Sequence, residues 1–367
     1  MSAQPAHAGQ PAESPPARFG RASERGLPVD WELAARTAAR LMAPGPEVSH
    51  AQARHAVRLL RTEAATAEGY VRNVTGLGEG LPLLPADVVD RGAWAHAATS
   101  GMAILTAGAK LPAVPAAART FTRKTAGFQA GAVLSYLGTR VLGQYDPFGG
   151  GDQQGRLLLV APNVVAAQRA LDVELEDFTR WVCLHEATHR LQFTAVPWLR
   201  DYFAGQVTEF LSASEQTAFS ILERLPEMLS SRGKRTEPGG MGLLELLQTP
   251  EQREVLDRVL ALTTLLEGHA DYVMDAVGPT VVPSVATIRS RFSERRQGGG
   301  LLDRLIRAVL GVDAKIKQYE VGAEFTTAVI NQIGMSGFNA VWTSPETLPT
   351  RAELADAASW VRRVHDA

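Results

Sequence analysis

Apolar positions recur three and four residues apart over most of the chain, which is the spacing of one face of a helix. WELAARTAARLM from Trp31 has this pattern and stops at the Pro/Gly cluster around Pro44 to Pro46, so a helix is expected there. Ser49 stands where an N-cap would, and HAQARHAVRLLRTEAATAEGYV in outline puts Val57, Leu60 and Ala64 on one stripe. Two further helical stretches are expected before residue 140. The pattern then changes. After the glycine-rich break that ends GQYDPFGGG, the short apolar and partly β-branched run RLLLVAPNVV predicts a strand. Leu171 to Gln192 predicts one helix, with Asp172 and Glu174 in its first turn and Phe178, Trp181, Val182 and Leu184 along its apolar stripe. Further helices are expected at roughly 197–211, 214–230, 250–277, 300–311 and 313–333, with loops at Gly239 to Gly242 and at Gly298 to Gly300. There is no internal repeat. The expected class is mainly α (α+β), with a small β-sheet.

Residues 1–27 are rich in Pro and Ala and show no hydrophobic period, so they read as a disordered tail before a single domain over 28–367. With 45% hydrophobic and 21% charged residues, that domain can bury a sizeable core. A formal net charge of -2 gives no reason to expect nucleic acid or an anionic membrane surface as a partner. The one cysteine, Cys183, excludes an internal disulfide and a cysteine-based zinc ribbon, and suggests a reducing compartment. No run reaches the roughly 18 apolar residues that would span a bilayer. The N-terminus lacks a basic start followed by an apolar segment. A cytoplasmic protein is the expectation.

The chemistry concentrates in WVCLHEATHRLQF, residues 181–193. His185 and His189 are four apart, so on a helix they share a face about one turn apart and can reach one metal ion. Glu186 is rotated by about 100° from His185, which frees it to take a proton from water that the metal has acidified. Two surface histidines on an amphipathic helix are the bland alternative. The apolar flanks VCL and LQF argue against it, because unpartnered imidazoles on a buried helix are costly.

Such a zinc site needs a third protein ligand. One zincin class supplies a histidine six residues after the second, with a glycine midway. Those positions here are Ala195 and Gln192, which excludes that class. The next candidate is LLEGHADYVMD, residues 265–275, where Glu267 and Asp271 share a face and His269 points roughly 200° away from Glu267. A Glu followed four residues later by Asp is the gluzincin pattern, in which the Glu ligates and the Asp orients a ligating histidine. Glu267 is the preferred third ligand and His269 the alternative. Gly268 would allow an opposing helix to approach closely.

Weaker candidates remain. Tyr319, in KIKQYEVGAEF, could stabilise an oxyanion, as could Tyr272, although either could be a plain core aromatic. Lys315 shares a face with Tyr319 and reads as a solvated lysine. Cys183 reads as a small core residue, and His50, His55 and His96 as ordinary helix residues. The strand at Leu157 to Val160 could pair with an extended substrate along its edge, or could be a plain core strand.

With these motifs in hand, most of residues 28–367 resembles a bacterial family of zincin-like proteins labelled as hydrolases or as associated with biosynthesis of the deazaflavin coenzyme. The likeness is carried by GQYDPF, HEATHRLQF, LLEGHADYVMD, KIKQYEVGAEF and the C-terminal GFNAVWTSPETLPTRAEL. The resemblance implies one zincin-like metalloprotease domain with the metal between two helices, His185, His189 and Glu267 as ligands to Zn2+, and Glu186 as general base. It supplies no substrate. The expected function is zinc-dependent hydrolysis of a peptide or small amide. The alternative is a non-catalytic zinc-binding module.

Overall fold

The computed structural model describes residues 26–110, 115–150, 154–212, 250–297 and 312–366, and at 116, 293–297 and 312–320 the backbone path alone. The helices expected at 214–230 and 300–311, both glycine loops and tail residues 1–25 lie outside the described residues.

Local capping starts the helices where the sequence marks them. Asp30 accepts a hydrogen bond from the Leu33 amide and opens α1 (Trp31–Leu41). Ser49 and Gln52 form a reciprocal capping box at the start of α2 (His50–Thr75), which ends at Gly76 with φ 69°. After β1 (Ala86–Val89), Asp90 caps α3 (Arg91–Leu105); α4 (Ala116–Gly138), β2 (Gly143–Asp146) and β3 (Arg156–Val160) follow. The chain continues through α5 (Ala161–Leu171), α6 (Leu175–Ala195), α7 (199–212), α8 (Pro250–Val277), α9 (Val285–Gln297) and α10 (Val312–Phe338), the last broken at Gly334 with φ 75°. Two short 3-10 turns lead to α11 (Arg351–Leu354) and α12 (Ala357–His365). No described helix is long and apolar enough to cross a membrane.

Two expectations need correction. The strand ends at Val160 and APNVV begins α5, because Pro162 fits the first helical turn, where its missing N–H is not needed. The single helix expected from Leu171 is two. Asp172 adopts the left-handed conformation (φ 51°) and breaks the chain between α5 and α6, so Glu176 and Asp177, rather than Asp172 and Glu174, occupy the first turn of α6.

The sheet has the order β1-β3-β2, with β1 parallel and β2 antiparallel to β3. β3 is therefore central. Both its edges are used, so it cannot receive a substrate strand, and the outer edge near α6 belongs to β2. Side chains alternate across β3. Leu158 and Val160 join the core around Ala38, Trp94 and Leu134, whereas Leu159 joins the core built by α2 and α6. A third core, around Phe325, Phe338 and Trp360, fastens the C-terminal segment to α8 and α10.

Two features fix the helix that carries the HEATH motif. The Glu68 carboxylate of α2 lies 2.8 Å from Arg190 Nη1 of α6 and 2.6 Å from Arg72 Nη2, and both the Glu68 and Arg190 side chains are buried. Arg72 and Arg190 also donate to carbonyls of the loop between α2 and β1, from Gly78 to Pro85. Arg180 of α6 pairs with Glu63 of α2 at 2.7 Å. On α8 the close approach is to α10. A Cβ on Gly268 would fall 2.0 Å from the backbone of Gly322, so both glycines are required at this crossing.

Candidate metal centre

α6 is buried along most of its length, from Phe178 to Gln192, and the sites of His185 and Glu186 come inside a packed helix. The rings of His185 and His189 stand perpendicular with centroids 4.6 Å apart, and their Nε2 atoms are 3.1 Å apart. α8 brings Glu267 to the same point, with Oε2 3.5 Å from each of those nitrogens. Donors held about 2.0 to 2.2 Å from an ion at tetrahedral angles lie roughly 3.3 to 3.6 Å from one another. The three donor atoms thus have the spacing of three corners of a zinc tetrahedron, and this is the cluster among the described residues that could hold a metal. The side chains of His185, His189 and Glu267 keep 25%, 15% and 28% of their exposure, so the cluster is partly buried rather than sealed in the core.

His269 is not part of this cluster. It is fully buried on the other side of α8, with its ring 5.2 Å from that of Phe338 and 5.5 Å from that of Trp342. Gln192 stands between it and the donors. The Gln192 Oε1 is 2.9 Å from His189 Nδ1, and its Nε2 donates to the Leu266 carbonyl at 2.9 Å and lies 3.0 Å from His269 Nδ1. From the sequence, Gln192 serves only to exclude one zincin class. Its position three residues after His189, in a buried apolar stretch, was the available signal.

The Glu186 side chain, 7% exposed, lies against Gly143 of β2, and the Tyr145 amide of the same strand donates to its carboxylate. Burial lifts its pKa to about 7 and the nearby Glu267 adds to this, while His189 and the Tyr145 amide oppose it. At His189 burial disfavours the imidazolium, but Glu267, Glu186 and Gln192 outweigh it and raise the pKa to about 9. Burial, with His189 assisting, lowers that of His269 to about 3.

Asp271 is one turn beyond Glu267, and its carboxylate lies 3.2 Å from Arg289 Nη1 of α9. Tyr272 packs at the rim of the α2/α6 core. Cys183 is buried with Sγ 3.9 Å from the Leu60 carbonyl, and burial pushes its thiol upward, as expected of a core residue. Tyr319 and Lys315 lie on α10, but their side chains are outside the described residues. Beside the C-terminal half of α6, Arg190, Phe193, Thr194, Arg200 and Gln154 border a cleft of about 220 Å³.

The sequence profile of the zincin-like metallopeptidase family matches residues 29–361. A crystal structure of a protein from Chloroflexus aurantiacus, described as a candidate hydrolase with a novel fold, aligns with a TM-score of 0.63 at 30% identity, covering 91% of this chain and 98% of that one. No curated protein matches the sequence.

Proposed function

Because the chain belongs to the zincin-like metallopeptidase family, we propose that it is a zinc-dependent hydrolase of a peptide or small amide, with His185, His189 and Glu267 as the ligands. The observation that carries this reading is the set of three donor atoms 3.1 to 3.5 Å apart on partly exposed side chains, beside a buried carboxylate. The ion would supply a Lewis acid that polarises a carbonyl and acidifies water.

Glu186 moves the proton. Its carboxylate is buried and held beside the donors, which places it to accept a proton and return it. As the water oxygen bonds to the carbonyl carbon, a Glu186 oxygen takes the released proton. As the C–N bond breaks, Glu186 passes that proton to the leaving nitrogen. The Tyr145 amide and the bare backbone of Gly143 hold the carboxylate in place for both transfers. Asp271 is assigned to orienting a ligating histidine. Tyr319, on the helix packed along α8, is assigned to stabilising the oxyanion; the Y319F variant should lower kcat and leave zinc content unchanged. The deazaflavin association stays outside this reading, because the assembled donors suit a divalent ion rather than a flavin ring.

The test uses zinc-loaded protein, a defined mixture of synthetic peptides and N-acyl amino-acid amides, and mass spectrometry of the products. Wild type should cleave at least one class. Glu186→Gln should retain zinc and lose on the order of a hundredfold or more in rate; equal cleavage by the variant would refute the assignment. One observation favours a second reading, a structural ion: β2 covers Glu186. A large loss of thermal stability on chelation, with no hydrolysis of any probe, would favour that module.

A further inference from the structure

The Gln192 amide faces three groups, and their chemistry orients it. The Leu266 carbonyl, 2.9 Å away, can only accept, so the amide nitrogen faces Leu266 and the oxygen faces His189 Nδ1. An acceptor there requires the His189 proton on Nδ1. In the neutral ring, the form that can ligate, the His189 lone pair is then on Nε2, the atom 3.1 Å from His185 Nε2 and 3.5 Å from Glu267. A flipped amide would point two carbonyl oxygens at each other and an N–H at Nδ1. The proton would then sit on Nε2, where the ion belongs.

The amide nitrogen has a second hydrogen, and His269 Nδ1 at 3.0 Å is its acceptor. We propose that His269 is a positioning residue of the metal centre: by accepting the second N–H of Gln192 it locks that amide, and through it the His189 tautomer that ligates by Nε2. This rests on the zinc reading above. The choice of histidine is otherwise hard to account for. His269 is fully buried between Phe338 and Trp342, and its Nε2 has no hydrogen-bond partner among the described residues. An apolar side chain would fill that slot without burying an unpartnered ring nitrogen. Retaining the imidazole leaves Nδ1 as the useful atom, and Gln192 is what it touches. The chain His189–Gln192–His269 also ties the α6 donors to the aromatic core of the C-terminal segment.

The experiment compares full-length H269F, H269N, Q192A and the double variant H269F/Q192A with wild type. Zinc affinity is read by competition with a chromophoric chelator, and the visible spectrum of the cobalt-loaded protein reports the coordination sphere. In H269N, an asparagine Oδ1 can take the place of Nδ1. H269F should weaken zinc roughly tenfold and change the cobalt spectrum. H269N should recover most of that affinity, and the double variant should bind no more weakly than Q192A. H269L replaces H269F in the comparison if the latter does not fold. The proposal is overturned if H269F binds zinc as wild type does, if H269F and H269N are equally impaired, or if the H269F loss adds to that of Q192A. Failure of wild type to bind zinc would instead remove the zinc reading and this inference together.

Discussion

A Cβ placed on Gly143 would stand 2.6 Å from Cγ and 2.9 Å from Oε1 of Glu186, so the edge strand and the motif helix meet at the carboxylate itself. Glycine at 143 is a condition for where Glu186 sits. Gly143→Ala should displace the carboxylate by several tenths of an ångström or more. Zinc content should be unchanged and kcat should fall by roughly ten- to a hundredfold. Metal analysis alongside initial rates checks this; an unchanged kcat would mean that Glu186 tolerates the shift.

The Gly268–Gly322 crossing sets the position of Glu267. Gly322→Ala would bring a Cβ to 2.2 Å from the Thr264 carbonyl oxygen and force α8 and α10 apart. We expect a stability loss of roughly 1 to 3 kcal/mol from overpacking, with weaker zinc binding because α8 carries the carboxylate donor. Denaturant unfolding and chelator competition measure the two effects separately.

The buried Glu68 cluster predicts an order of effects. Glu68→Gln leaves Arg190 charged and buried without its anion, and should cost about 3 kcal/mol or more. Arg190→Met should cost less, because Glu68 keeps Arg72 at 2.6 Å. Urea unfolding of both variants tests the ranking; the reverse order would contradict the assigned network.

The C-terminal segment should carry an acid-sensitive step. Burial alone would raise the Glu353 pKa, but Arg363, at 2.6 and 2.9 Å, and the Thr350 amide outweigh it and hold the carboxyl below its ordinary value of 4.5. A carboxylate with a depressed folded-state pKa adds stability above the unfolded value, and that stability is lost as the pH falls through the folded one. Wild type should therefore lose Tm as the pH drops below about 4.5, and Glu353→Gln should show a lower Tm at neutral pH with a shallower acid limb. Parallel acid limbs would remove Glu353 from the explanation.

The long helices and the HEATH motif were readable because their evidence is local: apolar residues and imidazoles repeat at helical spacing, and Ser49 marks a start. β3 was readable from its apolar run. β1 (ADVV) and β2 (GQYD) were not, since four residues without clear alternation become strands only by pairing with β3. The break at Asp172 was hidden because a left-handed aspartate leaves no glycine to mark it. The role of Gln192 depends on a carbonyl 74 positions away on α8, and the Arg289 partner of Asp271 comes from α9; no spacing in either segment encodes these contacts.

Anomalous diffraction at the zinc edge from zinc-loaded crystals tests the central claim most directly. We predict one strong peak about 2.0 to 2.2 Å from His185 Nε2, His189 Nε2 and a Glu267 oxygen. A crystal with no peak between those three residues, or with zinc bound elsewhere on the chain, would contradict the account.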